Sequence, residues 1–251
     1  MYHTTGFTRD EITDLCVLVH QAAVDEGTRF WPPVLGLFTS VVVTLTYLRR
    51  NRVQAELAET FGVSQSTISR AVTGLTPVLG VVLADYVPTA EDLDETTQYI
   101  VDGTLLPCWS WASHRELYSG KHKRTGMNVQ VACTVSGQLA WVSDAVEGSR
   151  HDTYCLNESG VLVTLDPAHW IGDKGYIGNG MLTPIRKPAH RELLDWEKEF
   201  NQQINRIRSI IERIIADLKT WRILHTDYRR PFATFTQTIA TVIALRFYQL
   251  R

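Results

Sequence analysis

Apolar and polar positions along this chain fall into two regimes. Up to about residue 90 they recur at three- and four-residue intervals, the period of helices. From Gln98 alternating, β-branched runs take over, and a long helical pattern returns near the end. The clearest helical stripe lies in Asn201 to Lys219, NQQINRIRSIIERIIADLK. At about 100° per residue, Ile204, Ile207, Ile211, Ile214, Ile215 and Leu218 share one side, which predicts a buried face. Beside that stripe Asn205, Arg208, Glu212 and Lys219 form a polar row, one carboxylate flanked by two cations at the border between core and water. Taken alone, this stretch is more simply read as an amphipathic helix with ordinary charge pairs.

The N-terminal region predicts a run of helices. Thr8 is placed as an N-cap with Asp10 and Glu11 in the first turn, and Ile12, Leu15, Cys16 and Val19 on one face up to Val24. Pro32 or Pro33 is placed to start a second helix reaching about Leu48. In RNRVQAELAETFGVSQSTISRAVTGL, a short helix with Leu57 and Ala58 meets a Phe61-Gly62-Val63 turn, a Ser64 cap and a second helix. This is the arrangement two helices need to cross closely in a helix-turn-helix. The outward positions, Gln65, Ser66, Thr67, Ser69 and Arg70, carry hydrogen-bonding side chains suited to base edges and phosphates. A further helix is expected from Thr76 to Val87, and the acidic PTAEDLDET run reads as a linker. The expected division is therefore a helical DNA-binding domain at 1–90 and a second, α/β domain at 96–251.

In the second region Gln98–Leu105, Asn128–Val135 and Gln138–Val146 read as strands, with Ser136-Gly137 as a two-residue hairpin turn. Trp109 and Trp111 precede the basic GKHKRTG run. A helix is expected from Asp152, a short strand at His169–Gly172, a last strand at Leu182–Arg186, and a C-terminal helix at about Phe232–Leu250.

Composition narrows the class. With 251 residues and 44% apolar content the chain can bury a full core. Its longest apolar run, Val34 to Leu48, falls short of the roughly 20 residues a membrane span needs. The N-terminus lacks a secretory pattern, so the protein is expected to stay in the cytoplasm where it is made. Four scattered cysteines without CxxC spacing argue for reduced thiols and against a zinc site. Net charge is −2, yet 114–124 carries four Lys or Arg against one acid, and 206–230 carries seven against three. Local basic patches fit a polyanion gripped at chosen places, and they also fit plain surface charge.

Three acids stand at strand ends or on the packing helix: Asp102 in VDGT, Asp173 in DKGYIGNGM, and Glu212. Brought together they would need divalent cations, and all-oxygen ligation favours magnesium or manganese. Singly, Asp102 and Asp173 also fit turn or cap positions.

The order VDGT, GSRHD, GDKGY and Asn-x2-Arg-x3-Glu-x6-Lys resembles insertion-sequence transposases of the DDE superfamily, over nearly the whole chain. The resemblance implies a ribonuclease-H-like catalytic domain, a mixed sheet flanked by helices, behind the helix-turn-helix. It implies that Asp102, Asp173 and Glu212 hold two metal ions for cleavage and strand transfer of double-stranded DNA at element ends and target, with no membrane partner and a homodimer on DNA. Asn205 stands where the related pattern has Tyr, which concerns a DNA contact and leaves the three acids untouched. His151 and Asp152 are expected to position substrate or support the acids, with an N-cap role for Asp152 as the alternative. Arg208 and Lys219 are expected to neutralise phosphates, and Lys121, Lys123 and Arg124 to touch the DNA backbone. Two other readings remain open: a domesticated DNA-binding regulator that does not cut, and a ribonuclease-H-like nuclease acting on another nucleic acid.

Overall fold

A computed structural model describes every residue except Trp111, together with the side chain of Thr164; the sequence reading of Trp111 lies outside the described residues. The chain folds as two compact units, Met1–Val87 with Leu218–Arg251, and Pro88–Asp217. The expected division at residue 90 put the C-terminal helix in the second region. Instead, that segment folds with the N-terminal helices.

The first unit is all helix: α1 (Tyr2–Thr5), α2 (Arg9–Asp25), α3 (Gly36–Arg50), α4 (Gln54–Phe61), α5 (Gln65–Val82) and, from the chain's end, the last helix Phe235–Tyr248. Helix α2 begins as its sequence predicts. The Thr8 side chain accepts from the Glu11 N–H, and the Glu11 carboxylate accepts from Thr8 N–H at 2.6 Å, a reciprocal capping box. Helix α3 starts at Gly36 and not at the prolines. The carbonyls of Pro32 and Pro33 accept from Leu35 and Gly36 N–H, so the prolines form a turn ahead of the helix.

The helix-turn-helix is α4, a left-handed Gly62 at φ 64°, the Ser64 cap, and α5. Only a residue without Cβ adopts that Gly62 conformation cheaply. Helix α5 runs 18 residues through Gly74 and Pro77, where the sequence pattern suggested a break. The reason for Gly74 is tertiary, since a Cβ there would lie 2.1 Å from the Phe30 carbonyl oxygen. Farther along, Gly80 and Thr76 admit the last helix closely, and Thr241 Oγ1 donates to the Thr76 carbonyl at 2.9 Å. Trp221, Phe7, Tyr248, Leu45 and Leu48 are buried in this unit.

The second unit is built on a mixed, six-stranded sheet: β1 (Tyr99–Pro107), β2 (Tyr118–Ser119), β3 (Arg124–Thr134), β4 (Leu139–Val142), β5 (Val146–Glu147) and β6 (Trp170–Ile171). Its order is β2-β3-β1-β6, with β4 and β5 also paired to β3. Strand β1 is antiparallel to β3, with Gly103 opposite Gln130, and parallel to β6. The β3–β4 connection, 135–138, is four residues long and not a two-residue turn. Thr134 N–H donates to Gln138 O, and Gly137, at φ 87°, donates to Thr134 O. Leu182 makes only a single parallel bridge to Ile171, so the expected strand at Leu182–Arg186 is absent. Ile185 instead exchanges both its backbone groups with the Asn201 side chain, at 2.6 and 3.0 Å.

Three helices complete this unit, α6 (Asp152–Glu158), α7 (Val161–Thr164) and α8 (Asp195–Leu218), so the C-terminal helix Phe235–Tyr248 is α9. Helices α6 and α7 cover one face of the sheet, where Leu156 and Val161 pack with Tyr99, Val101, Ala132, Trp141, Trp170 and Tyr176. The acidic run after Pro88 is not a loose linker: Thr89 and Asp92 cap each other, and Leu93 enters that core. Among the described residues no single helix is long and apolar enough to cross a membrane.

Candidate nucleic-acid and acidic site

Alternation along β1 decides which groups can meet. Val101 and Gly103 face the side covered by α6, while Asp102 faces the opposite side and meets α8. There Arg208 Nη2 donates to Asp102 Oδ2 at 3.3 Å, and the two side chains are only 15% and 18% exposed. The other Asp102 oxygen accepts from Gly103 N–H at 2.9 Å. Burial is the largest influence on the Asp102 carboxyl and outweighs Arg208. With Asp173 and Asp152 repelling it further, it is pushed up to about 6. Arg208 Nε is itself buried without a hydrogen-bond partner among the described residues.

Asp173 leaves β6 as the cap of a short turn, its carboxylate accepting from Gly175 N–H at 2.6 Å. Asp152 is the first residue of α6. The N-cap is His151, whose side chain makes no capping bond. The Asp152 carboxylate is instead spent on two side chains, accepting from Lys121 Nζ at 2.6 Å and Asn128 Nδ2 at 3.0 Å. Burial opposes its ionisation, but those two bonds and the charges of Lys121 and His122 hold it below the usual carboxylate range. The Asp152 anchor needs room, and Gly103 supplies it. A Cβ on Gly103 would lie 2.3 Å from Asp152 Oδ1 and 2.9 Å from Gln130 Nε2.

The three expected acids are not gathered into one group. Asp102 lies within electrostatic reach of Asp173 and Asp152. Glu212 is exposed on α8, and among the described residues no three His, Cys, Asp or Glu side chains are close enough to hold a metal ion. Helix geometry accounts for this: Arg208 takes the position facing Asp102, and Glu212, one turn on, is rotated by about 40° farther from the buried Ile204. Asn205 is also exposed. Lys219 lies just beyond the end of α8.

Lys121 sits in the hairpin joining β2 and β3, together with Lys123, which adopts a left-handed φ of 51°. Lys123 and Arg124 are exposed, as is His151. On the helix-turn-helix, Gln65, Ser66 and Arg70 are exposed and Ser69 is half-buried. Thr67 differs from its expected outward role. It is 5% exposed, its N–H bonds Ser64 Oγ, and its hydroxyl lies 2.9 Å from the same oxygen. As the third residue of α5 it closes the cap and does not face a groove.

The sequence profile of the DDE superfamily endonuclease matches residues 101–246, and that of the helix-turn-helix of DDE superfamily endonuclease matches residues 33–85. The chain belongs to the DDE superfamily of endonucleases. A protein described as transposase for insertion sequence element IS112, from Streptomyces albus G, is 28% identical over 222 residues, covering 88% of this chain and 83% of that protein. One described as transposase for insertion sequence element IS702, from Microchaete diplosiphon, is 25% identical over 228 residues, covering 87% and 82%. No solved structure matches.

In this member of the DDE superfamily, three polar residues of the acidic region escaped the sequence reading: Asn128, Gln130 and Tyr176. All are buried, and they connect to Asp152 by hydrogen bonds. A signal was present. Asn128 and Gln130 sit two apart among Val129, Val131 and Ala132, so one strand presents two amides side by side on a face that is otherwise apolar.

Proposed function

We propose that this chain is a DNA transposase that recognises the ends of its own mobile element and catalyses metal-dependent cleavage and strand transfer. The sheet unit would be its ribonuclease-H-like catalytic body. The observation that carries the reading is a helix-turn-helix on the same chain as a half-buried acidic centre, Asp102 near Asp173, bordered by the cations Arg208 and Lys121. Both relatives named above bear the name transposase.

The donors suit a hard divalent cation. Asp102 and Asp173 offer carboxylate oxygens, and the charge on half-buried Asp102 is one that a cation would relieve. Asp102 and Asp173 would hold magnesium or manganese, and Glu212, exposed on α8, would have to turn toward them to complete the set. The chemistry supplied there by two such ions, when bound, would be activation of a water or a DNA 3′-hydroxyl and stabilisation of the leaving oxygen. The rest falls to the chain. Arg208, paired with Asp102, would place its positive charge beside the phosphate at the scissile bond. Gln65, Ser66, Ser69 and Arg70 read the duplex, while Lys121, Lys123, Arg124 and Lys219 neutralise its backbone. Paired ends call for paired subunits, so a homodimer forms on DNA, and the protein works where the nucleoid is.

A second reading has one observation in its favour. Exposed Glu212, outside any three-acid group among the described residues, suits a regulator that binds DNA without cutting it. Incubation with magnesium and a duplex carrying the element's terminal inverted repeats separates the readings. A transposase nicks at the ends, a regulator binds without nicking, and a general nuclease cuts without regard to ends. Asp173→Asn is expected to abolish nicking and spare binding.

A further inference from the structure

Tyr176, Gln130, Asn128, Asp152 and Lys121 form a chain of hydrogen bonds from the core to the surface, with donors converging on Asp152 from both ends. Tyr176 Oη donates to Gln130 Oε1 at 2.5 Å, Gln130 Nε2 donates to Asn128 Oδ1 at 3.1 Å, and Asn128 Nδ2 donates to Asp152 Oδ1 at 3.0 Å. A carboxylate accepts only, so each amide upstream has one orientation that satisfies all its neighbours. The first four members are between 0% and 8% exposed. The last is a cation whose side chain is 58% exposed, on a hairpin otherwise free to sample many rotamers.

Such a chain costs buried polar surface, which a structural core could replace with apolar packing. What it produces here is a fixed ammonium. Lys121 lies within electrostatic reach of both Asp102 and Asp173, and donates to Asp152 at 2.6 Å. An ammonium has three donors, so donation to Asp152 leaves capacity for phosphate oxygens. Asp152 is bound on both oxygens by side chains, Lys121 at 2.6 Å and Asn128 at 3.0 Å, whereas Asp102 has one side-chain donor, Arg208, at a longer 3.3 Å.

We infer that Asp152 is a positioning residue for Lys121, and that the buried amide–tyrosine chain behind it holds this ammonium beside the Asp102–Asp173 centre to receive one phosphate of the DNA backbone. The inference rests on the DNA-cutting reading only for the identity of the polyanion. It assigns separate duties to neighbouring acids: Asp102 and Asp173 for the cation, Asp152 for a lysine.

The test is the salt dependence of duplex binding by the full chain, read by fluorescence anisotropy in chelator. One lost phosphate contact reduces the slope of log K against log salt by about 0.9. Lys121→Ala and Asp152→Asn are each expected to lose about that amount, their double variant no more than either alone, and Lys121→Arg is expected to restore it. A general loss of stability would lower the melting temperature of Asp152→Asn and leave its slope at the wild-type value, which would overturn the inference. Lys121 sits on an exposed hairpin, so an unchanged slope in Lys121→Ala overturns it alone, whether or not Asp152→Asn folds. Wild-type binding without magnesium-dependent nicking, with both variants losing slope, keeps the inference and removes the transposase reading. Nicking with unchanged slopes does the reverse. Absence of any duplex binding by the wild type removes both.

Discussion

Gly103 is the residue on which the acidic region depends most closely. A methyl group there would meet Asp152 Oδ1 at 2.3 Å and Gln130 at 2.9 Å, both held in a buried network with little freedom to retreat. Gly103→Ala is therefore expected to destabilise the sheet unit by about 1–3 kcal/mol, the usual range for overpacking, as a lower urea midpoint. Asp102 gives a pH signature of its own. Its carboxyl is raised from 3.8 to about 6 in the folded chain, so between those values the folded state binds more protons than the unfolded one. Its contribution makes stability fall as pH rises from about 4 to about 6, and Asp102→Asn should flatten that part of a melting-temperature profile. The sequence shows Asp102 as an acid at the end of an apolar run. It does not show the burial that shifts it, nor that Gly103 serves Asp152, a residue almost 50 positions later.

At the level of elements, local chemistry is well recorded in the sequence where caps and turns decide the outcome. Thr8, Ser64 and the Gly62 turn stand where their residue types place them. Ser64→Ala removes the cap shared by Thr67 N–H and hydroxyl, and should cost about 1 kcal/mol in a denaturant titration. The start of α8 rests on a less visible device. Arg191 clamps Glu197 with two bonds, at 2.6 and 2.7 Å, and Leu194 N–H donates to the same carboxylate. Those bonds lower the Glu197 carboxyl from 4.5 to about 2. A lowered value means stability that is present above about 4.5 and lost as pH falls through about 2. Arg191→Ala should thus lower the melting temperature at neutral pH, with the gap closing toward pH 2. Where tertiary approach decides, the sequence misleads. Gly74 looks like a helix break and is a contact point for the Phe30 carbonyl, and Leu182–Arg186 has a strand-like composition but spends its backbone on Asn201.

For the whole molecule, the helical and sheet regions are separable in the sequence by the change of period near residue 98, and the second unit begins at Pro88. The return of Leu218–Arg251 to the helical unit is not separable, because an amphipathic helix carries no mark of which core it will join. The acid motifs are equally plain in the sequence. Their spatial grouping is not, since α8 presents Arg208 to Asp102 and leaves Glu212 exposed, and only the register of that helix decides which of the two faces inward. The proposed cleavage of DNA requires Asp102, Asp173 and Glu212 together to hold the divalent cations. Calorimetric titration with manganese is its most direct test, applied to the full chain and to Asp102→Asn, Asp173→Asn and Glu212→Gln. Binding by the wild type is expected, with at least a tenfold weakening in each variant. Wild-type affinity in all three variants would contradict it.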